Sequence, residues 1–187
     1  MLPGHAPHPG HGVECEAPLG RAGPLAAAGA CGSRAGAGSE ADVDQTERMA
    51  IERECERLII AYTHYVDFGQ AARVAELFTA DGVWESPETT LAGQTAIREG
   101  FAARQRNEQR VSRHVCTNFA LEVTDEDTAE GVVYLTLYRH DGDAAPMPRP
   151  LEGPYLVGHY RDQFVRVQAG GWRFAHRRVV VAFLRAG

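Results

Sequence analysis

The chain has 187 residues, with 25 acidic against 19 basic side chains and a formal charge of −6. That length allows one folded domain with a sizeable core, and the charge balance offers no basic stripe to neutralise phosphates, so nucleic acid and anionic membrane surfaces are not expected partners. The four cysteines have no metal-ligand spacing and fit free thiols in a reducing cytoplasm; no apolar run reaches the roughly 18 residues of a membrane span, and neither a membrane segment nor an export signal is expected.

Residues 1–43 read as a tail. Gly, Ala and Pro dominate as far as Ser39, with almost no large aliphatic residue. Such a composition cannot bury enough apolar surface to offset its ordering entropy, so the tail is expected to be disordered. His5, His8, His11 and Cys15 stand at an H-x2-H-x2-H-x3-C spacing, which suits a soft divalent metal in principle, but no metal site is assigned to a Gly/Pro-spaced tail. Met49 would also serve as a start.

The folded domain is expected over residues 44–187. It opens on Asp44-Gln45-Thr46-Glu47, an acidic capping box. Ile51, Cys55, Leu58, Ile59, Tyr62, Tyr65 and Val66 then recur at the spacing of one buried helical face. Gly69 supplies a left-handed stop, which leaves Asp67 in the last turn, where the helix dipole disfavours a negative charge unless a donor or cation compensates. A shorter helix is expected over 71–78, a turn at Asp81-Gly82, a short strand over 83–85, a Pro87-containing link and a Gly93 turn. A third helix over 95–107 would put Ile97 and Phe101 inward and Arg98, Arg104 and Arg106 outward.

Four long β-branched and aromatic stretches follow, over 112–124, 129–140, 155–167 and 172–184, separated by Asp125-Glu126-Asp127, a loop over 141–150 and Gly170-Gly171. Helices first and long strands afterwards predict an α+β domain whose antiparallel sheet curls around the long first helix and encloses a pocket. Alternation puts His114, Cys116, Asn118 and Ala120 on one face of the first long strand, with Val115, Phe119, Leu121 and Val123 on the other. On the next strand Tyr134, Thr136, Tyr138 and His140 alternate against Val133, Leu135 and Leu137. The polar faces have the composition of a pocket wall. Tyr65, Trp84, Cys116, Asn118, Tyr138 and His159 are the candidate substrate-binding residues, Arg177 and Arg178 are expected at solvent or an interface, and the outer apolar residues of the sheet predict self-association.

The run Asp67-Phe68-Gly69, the segment Leu77-Phe78-Thr79-Ala80-Asp81-Gly82-Val83-Trp84, Gly93 with Ala96-Ile97-Arg98, and Arg113-His114 with Asn118 come in a telling order. Gly158-His159-Tyr160-Arg161-Asp162-Gln163-Phe164 and Gly171-Trp172-Arg173-Phe174 with Arg177 complete it. Together they resemble the SnoaL-like family of the nuclear transport factor two-like superfamily, over about residues 51–184. The resemblance implies a cone-shaped, cystatin-like α+β barrel around a long N-terminal helix, with a deep pocket and a homodimeric or homotrimeric assembly. In the family's catalytic members, which include scytalone dehydratase, a bile-acid dehydratase and a hexachlorocyclohexane dehydrochlorinase, an Asp ending the first helix pairs with a strand His. Asp67 and His114 match those positions, Tyr62 falls at a pocket tyrosine, and His140 falls near a second histidine; Val66 departs from the Tyr that precedes the Asp in scytalone dehydratase.

The set supports a definite chemistry. An Asp67 carboxylate holding one ring nitrogen of His114 would fix the tautomer and stabilise the imidazolium formed when the other nitrogen takes a proton. The hydroxyl of Tyr62 or Tyr65 could polarise a carbonyl or protonate a leaving hydroxyl, and His140 could act as a second acid. The expectation is a lyase or isomerase (a dehydratase, isomerase or cyclase) that needs no metal and no cofactor and acts on an apolar polycyclic, aromatic or polyketide-like small molecule. The alternative is a non-catalytic small-molecule-binding or subunit module of the same fold.

Overall fold

The computed structural model describes residues 43–142, 146–168 and 171–185. The expected tail, with His5, His8, His11 and Cys15, lies outside the described residues except at Val43, which is buried in the core and so belongs to the folded domain.

Helix α1, Gln45–Asp67, begins where the capping box places it: Asp44 accepts a hydrogen bond from the Glu47 N–H at 2.8 Å, satisfying one of the donors that a helix start leaves open. Its buried face carries Ile51, Cys55, Leu58, Ile59, Tyr62, Thr63 and Val66. At the other end Phe68 N–H and Gln70 N–H return to the carbonyls of His64 and Tyr65, and Gly69 takes φ +75°, which only glycine adopts without strain. Asp67 is the last helical residue.

The helix expected over 71–78 is a 3₁₀ segment, Ala71–Leu77. Seven residues form too few i to i−4 bonds to repay α nucleation. Strand β1, Phe78–Ser86, contains the expected Asp81-Gly82 turn as a wide bulge, in which the residues between Phe78 and Val83 oppose only Ala175 of the last strand. Gly82 serves close approach there: a Cβ would lie 3.1 Å from the Phe174 carbonyl oxygen, at the place where the register slips. The Pro87 link is a tight turn into β2, Thr89–Ala92, and Gly93 opens α2, Gly93–Gln105.

The long strands are β3, Val111–Val123; β4, Thr128–His140; β5, Leu156–Val167; and β6, Gly171–Leu184. They form a meander in one six-stranded sheet of order β2-β1-β6-β5-β4-β3. The pairing is antiparallel except where β1 lies parallel to β6. The sheet stays open, with β2 and β3 as its edges. Helix α1 lies against β3 and β6, and the core between helices and sheet is built on Ile51, Tyr62, Val133, Tyr160, Phe164 and Phe174.

One irregularity reorganises β3. Between Thr117 and Ala120 the pairing with β4 slips, so that Asn118 and Phe119 together oppose Val133. Asn118 takes φ +54°, a left-handed conformation that asparagine tolerates better than most residues. The extra residue reverses the alternation. His114 and Cys116 before it, and Phe119, Leu121 and Val123 after it, therefore all face the core side, the last three packing against the core. The expected division of β3 into a polar and an apolar face thus gives way to one inner face that is polar at one end and apolar at the other.

Candidate active site

A cavity of about 560 Å³ opens between α1, α2, the β1–β2 turn and the inner faces of β3 to β6. Its walls are mainly apolar, with Val66, Leu91, Phe101, Leu135, Leu137 and Leu156 contributing. His114 lines it, and Asp67 stands behind His114 at the end of α1. The Asp67 Oδ1 to His114 Nδ1 distance is 2.7 Å, and Asp67 Oδ2 accepts the His114 backbone N–H at 2.8 Å. Ser112 Oγ donates to Asp67 Oδ1 at 2.8 Å and itself accepts from Arg104 at 3.1 Å. Two residues apart on one strand face, Ser112 and His114 thus meet the same carboxylate. The side chains of His114 and Asp67 are only 10% and 5% exposed, so this pairing is shielded from solvent.

Burial pushes the Asp67 carboxyl up, but the hydrogen bonds from His114 and Ser112, with the charge that His114 can carry, outweigh it and hold Asp67 below its ordinary value. An ionised Asp67 needs a donor facing it, so His114 carries its proton on Nδ1 and leaves Nε2 as the basic nitrogen.

Tyr62 lines the cavity beside this pair, its ring edge-on to His114 with 6.4 Å between centroids. The Trp84 indole N–H donates to the Tyr62 hydroxyl at 3.0 Å. Burial pushes the Tyr62 hydroxyl up to about 12 although Arg177 and the hydrogen bond from Trp84 act the other way, so at neutral pH it is a neutral donor.

Of the residues singled out in the sequence, Asp67, His114, Tyr62 and Trp84 come together. The others do not. Tyr65 faces away from the cavity and lies under the Arg73 guanidinium, 4.4 Å from its ring centroid. Leu135, Leu137 and Arg139 are the β4 residues that line the cavity, so the alternate set of Tyr134, Tyr138 and His140 takes the outer face. Tyr134 is 55% exposed, and His140 Nδ1 instead lies 3.1 Å from the Pro150 carbonyl oxygen. His159 pairs with Tyr134 across the strands and shares that outer face. Burial and the Arg161 charge lower its pKa. Asn118 is exposed at the bulge, and Cys116 packs against the core, its thiol pushed up by burial to about 11.

Two arginines depart from the positions expected of them. Arg104, expected to point outward, lines the cavity and reaches Ser112. Arg177, expected at solvent, is fully buried. Its guanidinium bonds both Asp162 oxygens at 2.7 and 2.8 Å and lies 4.2–4.4 Å from the ring centroids of Tyr62, Tyr160 and Phe174, so Tyr62 rests on a fixed cation. The sequence signal for this pair was Asp162 and Arg177 on adjacent strands, five and six residues inside the strand ends, where solvated charges are uncommon.

A family model described as a SnoaL-like domain matches residues 47–178. Among solved structures, a protein of unknown function from Mycobacterium tuberculosis is similar at 25% identity and a TM-score of 0.62, over 76% of this chain and 79% of its own. A protein from Novosphingobium aromaticivorans, provisionally named a scytalone dehydratase, is similar at 20% identity and a TM-score of 0.65, over 76% and 91%. A nuclear transport factor two-like protein with a cystatin-like fold, also from Novosphingobium aromaticivorans, is similar at 22% identity and a TM-score of 0.59, over 74% and 86%. The comparison with curated proteins found no match.

Proposed function

The chain belongs to the SnoaL-like family, and on that premise we propose that it is a lyase or isomerase in which His114 abstracts a proton from an apolar ring-bearing substrate. The observation that carries this reading is the 2.7 Å contact between Asp67 and His114 at the wall of an apolar cavity. In this reading His114 Nε2 takes the proton while Asp67 stabilises the imidazolium that results. A base shielded from water does not spend its basicity on solvent. Tyr62, neutral and steadied by Trp84, donates a hydrogen bond to the substrate oxygen on which charge develops, or to a leaving hydroxyl. The imidazolium then returns its proton, to the leaving group in a dehydration or to another carbon in an isomerisation. His140 has no part in this scheme, because it lies outside the cavity.

The test is a mass-spectrometric screen of the protein against hydroxylated polycyclic and polyketide-like compounds, run in parallel with His114→Gln. Loss of water, or isomerisation without change of mass, should fall by about 10²–10⁴-fold in the variant, which circular dichroism should show to be still folded. Conversion at an undiminished rate by the variant would remove His114 from the chemistry. Retention of a compound without conversion by either protein would favour a binding module.

A further inference from the structure

The charged lining of the cavity is unbalanced. Arg104, Arg110 and Arg139 all line it, and Glu88, exposed on the β1–β2 turn, is the one carboxylate among the described lining residues. Arg110 and Arg139 share a single counter-ion behind the wall: both pair with Asp141, Arg139 at 2.6 Å. Arg139 also stacks on Tyr155, 3.4 Å from its ring centroid, which fixes its plane. Arg104 differs from both. Among the described residues it has no carboxylate within ion-pair distance, and its hydrogen bond goes to the neutral Ser112 hydroxyl.

A guanidinium has five N–H donors in a rigid fork that fits a carboxylate through two parallel bonds. Partial burial and the neighbouring Arg110 lower the pKa of Arg104, with Asp141 and Asp67 pulling the other way. The site therefore holds a partly desolvated cation with unused donors at the wall of an apolar chamber, one hydroxyl away from the Asp67 carboxylate. Such a group is better satisfied by an anion entering the chamber than by the chamber's own walls.

We propose that the substrate is an aromatic or polycyclic carboxylate, its rings held by the apolar walls and its carboxylate received by Arg104, with Arg110 and Arg139 adding positive potential at the same wall. The proposal rests on the functional reading above for the word substrate, but the recognition it describes is a matter of binding. A singly charged carboxylate suits one uncommitted guanidinium beside two that share Asp141.

The experiment is isothermal titration of naphthalene-2-carboxylate and its uncharged isostere, naphthalene-2-carboxamide, into wild type, Arg104→Gln, Arg104→Lys and His114→Gln, each confirmed as folded by circular dichroism. Wild type should bind the acid roughly 10- to 100-fold more tightly than the amide. The ratio should fall close to one in Arg104→Gln and be partly restored in Arg104→Lys, which keeps the charge but loses the fork. His114→Gln should keep the wild-type ratio, so a failed catalytic role and a failed anion site give different results. No binding of the acid, equal binding of acid and amide by wild type, or a preference that survives unchanged in Arg104→Gln would each overturn the proposal. If Arg104→Gln does not fold, Arg104→Lys and the wild-type ratio decide it.

Discussion

Asp67→Asn replaces one oxygen by an amide nitrogen at almost constant volume, which makes it a sharp probe of the site. The carboxylate accepts from the Ser112 hydroxyl, the His114 backbone N–H and His114 Nδ1, all within 2.7–2.8 Å. An amide offers one accepting and one donating end. If its oxygen keeps the His114 backbone N–H, its NH₂ meets Ser112 and the imidazole. The Ser112 hydroxyl can rotate to accept, but Nδ1 can accept only by giving up its proton. The ring proton then moves to Nε2, and the basic nitrogen no longer faces the cavity. Hydrogen bonds to a charged acceptor contribute about 1.5–3 kcal/mol each; allowing for the neutral bonds that replace them, the loss of stability should be about 2–4 kcal/mol at pH 7. Because the folded-state pKa of Asp67 lies below the ordinary value of 3.8, its stabilisation is fully present above that value and is lost as the pH falls through the folded value. Urea unfolding of wild type and Asp67→Asn should therefore show its full gap at pH 7 and a narrower one below about pH 4. Long-range ¹H–¹⁵N spectra should show the His114 proton on Nδ1 in wild type and on Nε2 in the variant. A gap that ignores pH, or a variant that keeps the Nδ1–H tautomer, would refute the reasoning.

Three further outcomes are expected. Asn118→Val puts a β-branched side chain at φ +54° and should lower stability by about 1–3 kcal/mol, whereas Asn118→Gly should be close to neutral; equal midpoints in urea for the two would mean that the bulge is not strained. Arg177→Met leaves the Asp162 carboxylate buried without its partner and should cost about 3–5 kcal/mol in urea unfolding, and Asp162→Leu added to it should restore much of the loss, an outcome read from the double-mutant cycle. Burial pushes the thiols of Cys55 and Cys116 up to about 12 and about 11, so both should stay unmodified by iodoacetamide at pH 8 in the native protein and react on unfolding, as read by peptide mapping.

The first helix is legible because its signals are local. An acceptor at Asp44, apolar residues at helical spacing and Gly69 act within a few residues of themselves, so Asp67 ends the helix on sequence information alone. The long strands declare themselves similarly through β-branched and aromatic composition. The inward face of His114 is legible too, since Ser112, His114 and Cys116 precede the irregularity in β3.

What the tertiary structure decided was which face each strand turns inward and which charges go with it. Alternation along a strand has a period of two, so one extra residue at Asn118 reverses everything beyond it, and choosing the inward face of β4 requires knowing its partners. Leu135 and Leu137 face the cavity while Tyr138 and His140 do not, because the inner face of the sheet must bury apolar surface and the tyrosines and histidine are tolerated in water. Arg104 and Arg177 are not legible in the sequence for a related reason. Composition puts arginine at the surface, but a guanidinium can be drawn inward when a distant residue supplies the compensating contact. Ser112 does so for Arg104 from β3, and Asp162 does so for Arg177 from β5, 15 residues away in the chain and 2.7 Å away in space. Helix ends and strand composition depend on nearest neighbours and are written in the sequence; strand faces and buried charges depend on pairings between remote segments, which only the folded chain brings into contact.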